Sequence, residues 1–111
     1  MKVVIADMYG GAGLRSELRA LLTDAERRAT RHDGCIRYTV AASIADPDRY
    51  LVVQEWRDDV ALEAHYASPE FQRFQFALHG LLVRWSEATI HTVGATVRPV
   101  ASGPIDPRDA D

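Results

Sequence analysis

The chain is short of cysteine, of long apolar runs and of any strong charge of one sign. Cys35 is the only cysteine among the 111 residues, so no disulfide can form within the chain. An oxidising compartment therefore gains no support. No apolar run approaches the ~20 residues needed to span a bilayer. The start, Met1-Lys2-Val3-Val4-Ile5-Ala6-Asp7, meets an acid too early for a secretory leader. A cytoplasmic protein with no membrane partner is expected by default. The formal net charge of −3 is too mild for a nucleic-acid partner, and no basic stripe runs along the chain. Arg27, Arg28 and Arg31 cluster, but Asp24, Glu26 and Asp33 interleave with them as on a solvated helix face. The dinucleotide fingerprint is missing too. Gly10, Gly11 and Gly13 read Gly-Gly-Ala-Gly, without the G-x-G-x-x-G spacing.

What is present is an ordinary globular composition at single-domain length. Residues 2–8 are short and β-branched and predict a strand, with the glycines as a turn behind it. Leu14, Leu18, Leu21, Leu22 and Ala25 follow helical spacing, with Arg15, Glu17, Arg19 and Asp24 on the other faces. This helix is expected to end at His32-Asp33-Gly34, with Gly34 as a left-handed residue just past its terminus. Residues 35–43 predict a strand, Asp46-Pro47-Asp48 a turn, and residues 49–56 the clearest strand of the chain. Asp58 or Asp59 caps a helix carrying Val60, Leu62, Ala64 and His65. Ser68-Pro69 then starts a fresh helix with Phe71, Phe74 and Leu78 on one side. Residues 87–97 predict the last strand. Residues 1–97 thus form one domain. From Arg98 a tail with Pro99, Pro104 and Pro107 adds little to any core and is expected to be dispensable for folding.

The order is an α+β, ferredoxin-like β-α-β-β-α-β arrangement. It implies a four-stranded antiparallel sheet with helices on one face. A sheet wet on its other face should alternate cleanly between apolar and polar residues. Here Tyr50, Val52 and Trp56 oppose Leu51 and Val53, and Val3 and Ile5 oppose Val4, Ala6 and Met8. An apolar second face implies burial, and a second copy of the chain is the simplest cover.

Four pieces in order resemble the antibiotic biosynthesis monooxygenase family of dimeric α/β barrels. They are Asp33-Gly34-Cys35-Ile36-Arg37-Tyr38, Glu55-Trp56-Arg57-Asp58, Ala61-Leu62-Glu63-Ala64-His65 and Ser68-Pro69-Glu70-Phe71. The likeness covers roughly residues 2–97. It implies a homodimer with a pocket between sheet and helices in each monomer. It also implies oxidation of electron-rich phenols or quinols by molecular oxygen, with no metal or flavin. Related members degrade haem or isomerise small sugar-derived metabolites, so membership leaves the reaction open. Haem degraders carry an axial histidine where this chain has Phe74 or Gln75, and a tryptophan where it has His65. Haem chemistry therefore ranks below oxidation of a small molecule.

His65 is the first candidate for chemistry. It lies on the apolar side of its helix, and an imidazole with its ordinary pKa near 6.5 can take a proton from a phenol. The competing reading is a structural histidine. Tyr38 and Trp56 sit at even positions of adjacent strands and would line an aromatic pocket, unless they are plain core. Phe71, Phe74, His79 and Asp7 complete the substrate-binding candidates. Asp7 competes with a simpler reading as the wet end of its strand. Glu55 is better explained by an ion pair than by catalysis. His65, His79 and His91 lack ligand spacing, so no metal site is expected. Cys35 has no neighbour in sequence to activate it and reads as a buried thiol. An isomerase or lyase on this scaffold, or a small-ligand carrier without catalysis, remains the alternative to a monooxygenase.

Overall fold

The computed structural model describes residues 1–99. Its elements are β1 (Lys2–Tyr9), α1 (Arg15–Ala29), β2 (Cys35–Ala42), β3 (Arg49–Trp56), α2 (Asp59–Ala67), α3 (Pro69–His79) and β4 (Glu87–Thr92). The strands lie in the order β2-β3-β1-β4, every pair antiparallel, which is the ferredoxin-like topology. Successive strand residues point to opposite faces. Val4, Ala6, Met8, Tyr50, Val52 and Trp56 therefore share one face and are buried against Leu18, Leu22, Leu62 and Leu78 of the helices. The odd positions Val3, Ile5, Leu51 and Val53 stand on the other face, where Ile5 and Leu51 are more than a third exposed.

Two element ends differ most from the sequence expectation. The first helix stops at Ala29, because Arg31, His32 and Cys35 donate through three-residue turns to Arg28, Ala29 and His32. Gly34 does adopt a left-handed φ of 82°, but as the turn residue entering β2 rather than beside a helix end. Packing requires glycine there as well, since a Cβ would lie 2.4 Å from the Cβ of Ala61. The last strand ends at Thr92 instead of residue 97. Its partner β1 begins at Lys2, opposite Thr92, and one further bond from Val93 N–H to the Met1 carbonyl exhausts the ladder. Residues 100–111 of the proline-rich tail lie outside the described residues.

Two local devices set the site. Ile36 is an unpaired bulge between the pairs Cys35–Trp56 and Arg37–Glu55. One inserted residue lets Cys35 and Tyr38, three apart, both face the helices. Ser68 joins α2 to α3. Its Oγ accepts from the Phe71 N–H at 3.2 Å and donates to the His65 carbonyl at 2.7 Å. Asp58 caps α2 by accepting from the Ala61 N–H at 2.9 Å. No helix among the described residues is long and apolar enough to cross a membrane.

Candidate functional site

A cavity of about 250 Å³ opens between the sheet, α1 and α3. Its inner wall is Tyr38, His65, Phe71 and Phe74, and its rim carries Asp24, Arg28, Glu70 and Arg73. His65 follows Ala61 by one helical turn, which turns its ring from α2 toward the sheet. The ring is 6% exposed. Trp56 lies behind it at 4.6 Å between centroids, Phe71 at 5.2 Å and Tyr38 edge-on at 6.2 Å. Trp56 is fully buried and its indole N–H donates to Gln54 Oε1 at 2.9 Å.

A second histidine completes the centre. His32, in the turn after α1, brings its Nδ1 within 3.1 Å of Nδ1 of His65. Its Nε2 is 3.2 Å from Oε2 of Glu70, in the first turn of α3. These partners assign the tautomers. A carboxylate only accepts, so Nε2 of His32 bears a proton and Nδ1 of a neutral His32 is an acceptor. The facing Nδ1 of His65 is then the donor, and Nε2 of His65 is left with a bare lone pair. That Nε2 is buried and has no hydrogen-bond partner among the described residues. The opposite assignment would set a lone pair of His32 against the carboxylate and bury an N–H of His65 without an acceptor.

Burial pushes the His65 pKa down from 6.5 to about 4, helped by the neighbouring His32 and opposed by Glu70. This corrects the ordinary value assumed from sequence: the ring is uncharged at neutral pH. Burial also pushes the Tyr38 phenol well above its usual range and raises the Tyr66 phenol and the Cys35 thiol.

The structure brings His65, Tyr38, Phe71 and Phe74 around one cavity, with Trp56 as the plate behind His65. It separates Asp7 and His79 from them. Asp7 is an odd residue of β1 and faces away from the helices. Its carboxylate accepts from Arg49 Nε at 2.9 Å and Nη2 at 2.8 Å. The Arg49 guanidinium holds that carboxyl below its usual range. His79 ends α3 and stacks edge-on against Trp85 at 4.8 Å, in a separate depression. His91 bonds to Thr89 Oγ1 on β4, and Glu55 pairs with Arg37 at 2.9 Å on the outer sheet face. Among the described residues no three His, Cys, Asp or Glu side chains converge as a metal site.

His32 and Glu70 are absent from the sequence candidates. His32 reads there as the end of a helix, and Glu70 only as part of the Ser68-Pro69-Glu70-Phe71 piece of the family resemblance. Only the packing of α1 against α3 makes them neighbours.

A ferredoxin-like domain with a histidine-bearing aromatic cavity between sheet and helices defines the structural class. The family model described as antibiotic biosynthesis monooxygenase matches residues 1–76. The chain belongs to that family. It is 35% identical over 88 residues to the "Putative monooxygenase Rv0793" of Mycobacterium tuberculosis, covering 78% of this chain and 85% of that protein. The solved structure of Rv0793 has a TM-score of 0.78 at 26% identity and covers 90% of this chain and 98% of its own. An antibiotic biosynthesis monooxygenase of Deinococcus radiodurans, so described with the qualifier "putative", shares the fold. Its TM-score is 0.85 at 22% identity, over 91% of this chain and 100% of its own.

Proposed function

We propose that the protein oxidises a small phenolic or quinol-type compound with molecular oxygen, using His65 as the base and no metal or flavin. The observation that carries this reading is the bare, buried Nε2 of His65 beside a cavity walled by aromatic rings. The volume of about 250 Å³ lies just below the ~300–1,000 Å³ of ordinary small-molecule pockets, which suits a compound of one or two rings. Phe71, Phe74 and Tyr38 offer faces and edges for ring stacking.

The substrate O–H donates to Nε2 of His65 and the proton moves to it, leaving a phenolate. A phenolate gives up an electron to oxygen more readily than a phenol does. A ring carbon then bonds one oxygen atom, which stays as a quinone carbonyl. The other oxygen leaves as water with the ring hydrogen and the hydroxyl proton. The substrate loses four electrons and oxygen gains four.

Oxygen uptake on a panel of phenols, naphthols and hydroquinones tests the reading. His65→Ala is expected to lower turnover by ~10²–10⁴-fold, the usual contribution of a positioned base. His65→Gln keeps size and hydrogen bonding and is expected to be as inactive. Turnover that proceeds without oxygen would instead mark an isomerase or lyase, and saturable binding without turnover a carrier. Full activity in both variants would remove His65 from the chemistry.

A further inference from the structure

We propose that His32 and Glu70 are positioning residues that fix the tautomer of His65, leaving the lone pair on its Nε2, and draw off the positive charge that His65 acquires. The proposal rests on the base role given to His65 above.

The three groups form one line: Glu70 Oε2 to His32 Nε2 at 3.2 Å, then His32 Nδ1 to His65 Nδ1 at 3.1 Å. Burial falls along it in the useful order. His65 is 6% exposed, while the side chains of His32 and Glu70 are 23% and 40% exposed. An imidazolium is costly at the buried end and better solvated and paired at the other. The steps balance. The substrate proton goes to Nε2 of His65, and the Nδ1 proton of His65 passes to Nδ1 of His32. His65 is left neutral in its other tautomer, and His32 becomes an imidazolium paired with the Glu70 carboxylate. The substrate keeps the electron pair of its broken O–H bond. With a pKa of about 4, His65 alone would hold a proton from a phenol near 10 poorly, so the reaction needs such an outlet.

Among the described residues no other side chain lining the cavity competes for the role. Tyr38 from β2 faces the ring of His65 with a phenol whose ionisation burial opposes. Asp24 and Arg28 from α1 are paired with each other at the rim, and Arg73 of α3 lines the rim and can only donate.

Nitrogen-15 NMR of the imidazoles reads the tautomers directly, without any substrate. In the wild type His65 is expected to bear its proton on Nδ1 and His32 on Nε2. His32→Ala is expected to release His65 into a mixture of tautomers. Turnover of 1,4-naphthohydroquinone is then expected to lose roughly 10²-fold in kcat, the lower end of what a positioned base contributes, with KM little changed. Glu70→Gln, at a half-exposed position, is expected to lower kcat in the same sense. His65 protonated on Nε2 in the wild type would overturn the proposal. So would variants that leave both its tautomer and kcat unchanged. A wild type with the expected tautomers that turns over no quinol overturns the reaction and leaves the relay standing. Intact turnover with Nε2 protonated overturns the relay alone.

Discussion

Protonating His65 inside the fold sets a charge where water cannot reach it, and this makes stability depend on pH in a defined window. The folded pKa is about 4 and the unfolded one near 6.5, so between those values the unfolded chain binds the extra proton. Stability is therefore fully present above pH 6.5 and is lost as pH falls toward 4. The loss is up to about 3 kcal/mol at 1.36 kcal/mol per unit. Thermal melts from pH 7.5 to 4.5 should show this slope, and His65→Gln should flatten it. Asp7, Asp24, Asp33 and Asp58 also have lowered pKa values, but theirs act below 3.8 and fall outside the window. A slope that survives in His65→Gln would assign the effect elsewhere. Gly34 is the other decisive single residue. Its φ of 82° and the 2.4 Å approach to Ala61 both penalise a side chain. Gly34→Ala should cost roughly 1–3 kcal/mol from the backbone alone. It should also lower activity, because the clash presses on the helix that carries His65. A melt within a degree of wild type would refute this.

At the scale of elements, the break between α2 and α3 does more than end a helix. A continuous helix through residues 59–79 would carry Phe71 and Phe74 along the axis of α2. Ser68, extended at ψ 146°, redirects the chain so that α3 lies over the cavity. Its hydroxyl holds both sides of the joint, bonding the Phe71 N–H and the carbonyl of His65 itself. Pro69 lacks an N–H that the first turn would leave unpaired, and Glu70 places its charge near the positive end of the helix. Ser68→Ala should cost about 1 kcal/mol, the usual value of a lost cap, and lower Tm by roughly 4 °C. Ser68→Thr keeps the hydroxyl and should recover most of it. Calorimetry of the two variants checks this, and equal melting of both would mean that the backbone alone sets the joint.

For the molecule as a whole, the outer sheet face is the unfinished part. Val3, Ile5, Leu51 and Val53 lie together across β1 and β3, flanked by the ion pairs Arg37–Glu55 and Asp7–Arg49. An apolar centre with charged flanks can meet its own copy about a two-fold axis, each patch serving as partner to the other. We therefore propose a homodimer through this face. Sedimentation at micromolar concentration should give about twice the chain mass of 12.4 kDa. Ile5→Glu should yield monomers that keep their secondary structure. A wild type that sediments as a monomer would end the idea.

The alternation of Val4, Ala6 and Met8 with Val3, Ile5 and Asp7, and of Tyr50 and Val52 with Leu51 and Val53, determines which residues meet the helices. Strand parity is local, so it is legible in the chain and places Tyr38, Trp56 and the cavity on one face. The same parity sends Asp7 to the other face, although its partner Arg49 comes from another strand and shows only in the fold. The helix spacing of Ala61, Leu62 and His65 and the Ser68-Pro69 cap are likewise local and gave His65, Phe71 and Phe74. Helix and strand ends were less legible. Ala29 and Thr92 are set by turn bonds and by the length of β1, which lie outside the segments they end. Tertiary structure alone decided the chemistry of the base. His32 and Glu70 are 38 residues apart and meet only because α1 and α3 pack together over the sheet. Their line of bonds fixes the tautomer of His65, and the depth of the ring sets its pKa. No local pattern encodes either, because both depend on distances between segments remote in sequence.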